Sequence, residues 1–162
     1  MKYILLVGLI LTSSPIFAVK LADLNLNQFE KEKLKENQIR FSSKDKIKIH
    51  LQTNEFEHKW EEKTLEKDIK EMYRIRKSMY DIMGFSDVNF NSHKLSQISK
   101  HQTLTIKGDY KNPEDKKVYF AEINIYFAKK FLQVKIINEN SEVKESDIEE
   151  IIKQIPIENL EV

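Results

Sequence analysis

The sequence predicts an α+β fold: an antiparallel β-sheet with a long helix on one face and a short C-terminal helix on the other. Three observations predict it. Residues 118–128 and 131–138 are apolar-alternating runs flanking Lys129 and Lys130, which reads as a β-hairpin. Apolar residues from Trp60 to Met83 recur mostly every three or four positions, the period of a helix buried on one side. Ile148, Ile151, Ile152 and Ile155 fall at i, i+3, i+4 and i+7, the same signature in a shorter segment.

Taken in order, residues 1–18 have the parts of a secretory signal peptide. Lys2 is the positive start, residues 4–11 are the apolar centre, Pro15 breaks it, and the expected cut falls between Ala18 and Val19. The apolar run is too short to span a bilayer, which takes about 20 residues as a helix. The expected organisation is a signal peptide (1–18), an N-terminal arm or short helix (19–44) and a single α+β domain (45–162). There is no cysteine, so no lipidated cysteine follows the signal and no disulfide supports the fold. Export without cysteine points to a periplasmic or secreted bacterial protein, with no membrane span in the mature chain.

Within the arm, residues 30–37 are good helix formers behind an N-cap-like Asn27, but Phe29, Leu34 and Ile39 make only a thin apolar face. Residues 46–52 alternate as a strand. The long helix is expected over 57–83, with Asn54 and Glu57 as a capping box, a break near 61–64 and Gly84 as its stop. Residues 87–90 read as a short strand, and residues 94–102 lead through a bulge into a strand at 103–110.

In the hairpin, a two-residue loop would set Phe127 opposite Leu132, Ile125 opposite Val134 and Ile123 opposite Ile136. One face is then wholly apolar. The other mixes Val118, Phe120, Tyr126, Phe131 and Ile137 with Glu122, Asn124, Gln133 and Lys135. Lys-Lys lacks the glycine or asparagine that such a turn prefers, so a longer loop is the rival arrangement. Pairing Tyr110 with Tyr119 would place Ile106 opposite Ile123 and extend the apolar face across a third strand. The last helix is expected over 147–154, with Ser146 as N-cap, Glu149 completing a capping box and Pro156 ending it. Its natural seat is the mixed second face.

Hydrophobic residues are 40% and charged residues 33% of the 162, and the apolar ones are periodic, which excludes a disordered chain. A formal charge of +1 shows no field for nucleic acid. Removing residues 1–18 takes away one positive charge, Lys2, and leaves the rest formally neutral.

Catalytic signatures are missing. Gly8, Gly84 and Gly108 are too scattered for a phosphate-binding loop. No serine sits in a G-x-S-x-G elbow. His50, His58, His93 and His101 have no helical spacing and no cysteine beside them, so no metal site is expected. The acids and lysines between Glu57 and Glu71 interleave as a solvated helix face. Lys107, Lys111, Lys116, Lys117, Lys129 and Lys130 gather near Tyr110, Tyr119 and Phe131. They read as protection of strand ends rather than as an anion-binding patch.

The runs Thr105 to Tyr110, Val118 to Glu122 and Phe131 to Val134, with the isoleucine-rich last helix, resemble the PsbP/Mog1-like α/β/α sandwich family and its exported bacterial members. The resemblance covers residues 45–157 and carries no catalytic residue over. It implies an accessory or binding role. A long helix followed by antiparallel strands is also similar to the cystatin-like fold, but Gln97, Ile98 and Ser99 do not match the protease-inhibiting Q-x-V-x-G stretch. The sequence thus implies an exported, non-catalytic accessory module that meets another envelope protein, needing no cofactor. The alternative is a periplasmic small-ligand binder with its pocket between the long helix and the sheet.

Overall fold

The computed structural model describes residues 19–35, 37–44, 46–55 and 62–161. The elements are β1 (Val19–Lys20), a 3-10 turn (Leu21–Asp23), β2 (Glu30–Lys35), β3 (Gln38–Ser42), β4 (Ile47–Glu55) and α1 (Glu62–Ile82). Then come β5 (Ser86–Ile98), β6 (His101–Lys111), β7 (Lys117–Tyr126), β8 (Lys130–Asn138), α2 (Glu145–Lys153), a 3-10 turn (Ile157–Asn159) and β9 (Leu160–Glu161). Strands β2 to β8 form one seven-stranded antiparallel sheet in the order β2-β3-β4-β8-β7-β6-β5. β1 and β9 make a separate parallel pair. One helix packs on each face of the large sheet, as an α+β fold of this kind requires.

The hairpin pairs as expected in kind but not in register. Tyr126 lies opposite Phe131, Ile125 opposite Leu132 and Ile123 opposite Val134, a slide of two residues. Four residues, 127–130, separate the paired Tyr126 and Phe131, and the turn is closed by the Phe127 N–H donating to the Lys130 carbonyl at 2.8 Å. None of these four residues has positive φ. A two-residue loop of the favoured hairpin types needs a left-handed residue, and a longer loop avoids it. Because the side-chain period is two, a slide of two leaves every residue on its expected face.

The third strand differs by one residue, and its faces are exchanged. Tyr110 sits opposite Val118, Gly108 opposite Phe120 and Ile106 opposite Glu122. The connecting turn sets this. Asn112 Oδ1 accepts the backbone N–H groups of Glu114 and Lys116 at 3.0 and 2.9 Å, and Asp115 turns the chain at φ 59°. Leu104, Ile106 and Tyr110 therefore lie under α1 with Phe120, while Thr103 and Thr105 join Ile125 and Ile123 on the other face.

The helices take the faces opposite to those expected. The wholly apolar face (Ile49, Leu51, Ile123, Ile125, Leu132, Val134 and Ile136) receives α2 through Ile148 and Ile151, together with the buried Leu21, Leu24 and Leu26. The mixed face receives α1 through Ile69 and Tyr80, with Met72 and Tyr73 beside them. Like has matched like: α2 offers only isoleucine, whereas the sheet-facing stripe of α1 contains Arg76 and two tyrosines.

Residues 30–35 form an edge strand, not a helix, so the supposed arm is part of the main sheet. A helix there would have had too little apolar surface to dock. The free edge of β3 instead offers a ladder, and charged side chains suit an outermost strand. The 94–102 stretch, expected to lead through a bulge into the next strand, is mostly strand itself: β5 runs without a break to Ile98, with register shifts between Ser86 and Asn89 and between Phe90 and Ser92. The tight turn to β6 uses Ser99 at φ 54°.

α1 ends where expected. Gly84 adopts φ 79°, its N–H donates to the Asp81 carbonyl, and the Phe85 N–H donates to Tyr80, a Schellman stop with Phe85 packed on the Tyr80 ring. Its start is Glu62; Trp60 and the expected cap at Glu57 lie outside the described residues. α2 begins earlier than expected. Lys144 is the N-cap residue, and Asp147 Oδ2, rather than a Ser146–Glu149 box, accepts the Lys144 N–H at 3.0 Å.

Candidate functional site

α1 covers only part of the mixed face. It leaves a cleft of about 370 Å³ over β4 and β8, within the range of small-ligand sites. The helix wall is Met72, Ile75, Arg76, Met79, Tyr80 and Met83. The floor is Gln52 and Asn54 from β4, Glu122 from β7, and Phe131, Gln133 and Lys135 from β8. Ile75, Met79 and Met83 are 48, 56 and 51% exposed, an apolar strip facing solvent beside the cleft. Methionines give such a wall adaptable shape.

Beneath the wall the sheet carries charge. Pairing across four strands aligns Arg40, His50, Lys135 and Glu122 in one transverse row. Glu122 is nearly fully buried and is ion-paired with Arg76 Nη1 from above. Its other oxygen accepts Asn124 Nδ2 at 2.9 Å and Gln133 Nε2 at 3.0 Å. Both oxygens of this carboxylate are thus engaged by side chains of the cleft and its surroundings.

Lys135 is placed differently. Its ammonium donates to Tyr80 Oη and lies 4.6 Å from the Tyr80 ring centroid and 5.6 Å from that of Phe120. Burial lowers its pKa to about 8, Glu122 working against that and Arg76 with it. At neutral pH it remains mostly protonated. Burial, followed by the cations Arg40, Lys135 and Lys48, pushes His50 down to about 4, so its ring is neutral. Arg40 reaches the other way, to Glu32 at 3.2 Å.

A larger groove of about 600 Å³ runs between α2 and the start of β2. Its acids Glu30 and Glu150 are exposed, and its Asp147 is occupied in capping α2. It offers no buried charge, which is the feature that marks the α1 cleft.

The histidines are dispersed. His50 lies in the row just described, His93 of β5 stands edge-on to Tyr73 of α1, and His101 packs on Phe127. His58 lies outside the described residues. Among the described residues no group of three histidine or acidic side chains could hold a metal ion. Five of the six strand-end lysines are matched by carboxylates: Lys107 by Glu145, Lys111 by Asp87 and Asp115, Lys116 by Glu114, Lys117 by Asp109 and Lys130 by Glu55. That leaves little positive field on the patch considered from the sequence. The expected cleavage residues, Ala18 and Val19, fall at the boundary of the described chain, with Val19 opening β1.

Sequence reasoning placed Glu122, Asn124, Gln133 and Lys135 on one face but missed Arg76, His50 and Arg40 as their companions. The signal available was the polar half of an otherwise apolar hairpin. The companions come from β3, β4 and α1, whose placement is long-range.

No family model and no curated protein matches this chain. Among solved structures, it is similar to a protein from Bacteroides thetaiotaomicron VPI-5482 with a 1.50 Å crystal structure: 10% identity, TM-score 0.52, covering 77% of this chain and 40% of that one. At that identity the likeness shows the fold alone. The chain spans well under half the length of this neighbour. No helix among the described residues is long and apolar enough to cross a membrane.

Proposed function

We propose that this chain is an exported, non-catalytic binding protein of the bacterial cell envelope that holds a small ligand in the cleft between α1 and the sheet. The observation carrying this reading is the cleft itself: an adaptable, partly exposed methionine–isoleucine wall over a floor of amides and buried charge. The non-catalytic part is supported by Glu122, whose oxygens are taken up by Arg76, Asn124 and Gln133. Export is supported by the character of residues 1–18, and a cut between Ala18 and Val19 would leave the whole described fold on the mature chain. The PsbP/Mog1-like resemblance belongs to the same proposal, since a sheet with a helix on each face is the architecture it requires.

A second reading is the accessory role, with another envelope protein as partner. It is favoured by the exposed strip of Ile75, Met79 and Met83, continued by Ile82 at 83% exposure. Native mass spectrometry of the protein purified gently from its own cells separates the two. The ligand reading expects a chain beginning at Val19 with an added small mass. An added polypeptide supports the accessory role, and a bare chain overturns the ligand reading.

A further inference from the structure

We infer that the α1 cleft is built for a small amphipathic monoanion, with the anionic group at Lys135 and the apolar body along Met72, Ile75 and Met79. This rests on the cleft being a ligand site and adds the ligand's chemical class.

The argument is one of charge matching. Three charged side chains line the cleft: Arg76, Lys135 and Glu122. Glu122 and Arg76 satisfy each other. Lys135 makes no ion pair with any described carboxylate; its ammonium has a phenol oxygen and two ring faces. His50 beside it is neutral at physiological pH, and Arg40 beyond is paired with Glu32. Among the described residues the cleft lining therefore holds two cations and one acid, and one negative charge on a ligand would balance it in a low-dielectric setting. A dianion would bring a second charge with no partner. A neutral ligand would leave the ammonium unmatched.

The body of the ligand follows from the opposite wall. Ile75 and Met79 expose apolar surface that no described element covers, next to the opening. A chain of several methylenes laid there removes that surface from water while its head reaches the β8 floor. A 370 Å³ cleft suits a single medium-length chain rather than a large lipid.

The test is calorimetric titration of the mature protein with decanoate and with decanol, both below their aggregation limits, at pH 7. Decanoate is expected to bind one to one, at least about tenfold tighter than decanol, the value of one buried charge-assisted hydrogen bond. Lys135→Met should erase that preference while leaving decanol binding in place. It should also fold, because Glu122 keeps Arg76 as its partner. Met79→Trp, at a half-exposed position, should weaken both ligands by filling the cleft. Equal binding of decanoate and decanol, both weakened by Met79→Trp, would overturn the anionic class and leave the cleft reading standing. Decanoate binding indifferent to Met79→Trp, or no binding, also overturns the inference. The cleft reading itself then stands or falls on the small mass carried by the protein from its own cells.

Discussion

Glu122 lies directly opposite Lys135 across β7 and β8, yet its carboxylate is ion-paired with Arg76 of α1 and not with that lysine. The sheet thus spends its most deeply buried acid, among the described residues, on holding the helix. Removing one partner leaves an uncompensated charge in the interior. Arg76→Met should lower stability by about 3 kcal/mol in urea unfolding, and Arg76→Met with Glu122→Leu should regain most of it. A double variant no more stable than the single one would mean that the pair is not what couples α1 to the sheet.

His50 makes the fold acid-sensitive. Its folded pKa of about 4 lies below the ordinary 6.5, because burial and then the cations Arg40, Lys135 and Lys48 disfavour the imidazolium. Below pH 6.5 the unfolded chain therefore takes a proton that the folded one refuses, and stability falls as pH drops toward 4. The loss attributable to this group is on the order of 2–3 kcal/mol. Melting temperatures between pH 7 and pH 4 should fall less steeply for His50→Gln than for the wild type.

Gly108 admits no side chain. A Cβ there would lie 2.1 Å from the Asn89 carbonyl oxygen and 2.6 Å from Phe120 Cζ, so strand β5 or the ring under α1 must move. Gly108→Ala should cost on the order of 2 kcal/mol by overpacking, read from the urea midpoint. An unchanged midpoint would show that β5 yields freely at its register shift.

The docking of α2 rests on Ile148 and Ile151 more than on Ile152. Ile151 is 5% exposed and sits in the large core, whereas Ile152 is only partly buried at its margin. Ile151→Ala should cost about 3 kcal/mol and Ile152→Ala clearly less. Ile152→Asp should also destabilise, by placing a charge at the edge of that core. Equal losses for the two alanine variants would mean that the helix is rotated from the orientation described.

What the sequence determined by itself is the set of patterns that depend on neighbours along the chain. The period of two in β7 and β8 assigns Ile123, Ile125, Val134 and Ile136 to one face whatever the loop length, and Gly84 stops α1 because a left-handed residue is needed there. The isoleucine quartet marks α2 for the same reason. Tertiary structure decided what depends on competition between distant surfaces. The turn at Asn112 set β6 one residue away from the expected pairing and sent Ile106 to the side of α1. Residues 30–35 became a strand because β3 had an open edge to offer, against their helical propensity. The candidate site belongs to this second class. Arg40, His50, Lys135, Glu122 and Arg76 come from four strands and a helix, and only the summed registers bring them together. Periodicity assigns a residue to a face; where that face meets another is fixed by which burial leaves the fewest charges unmatched.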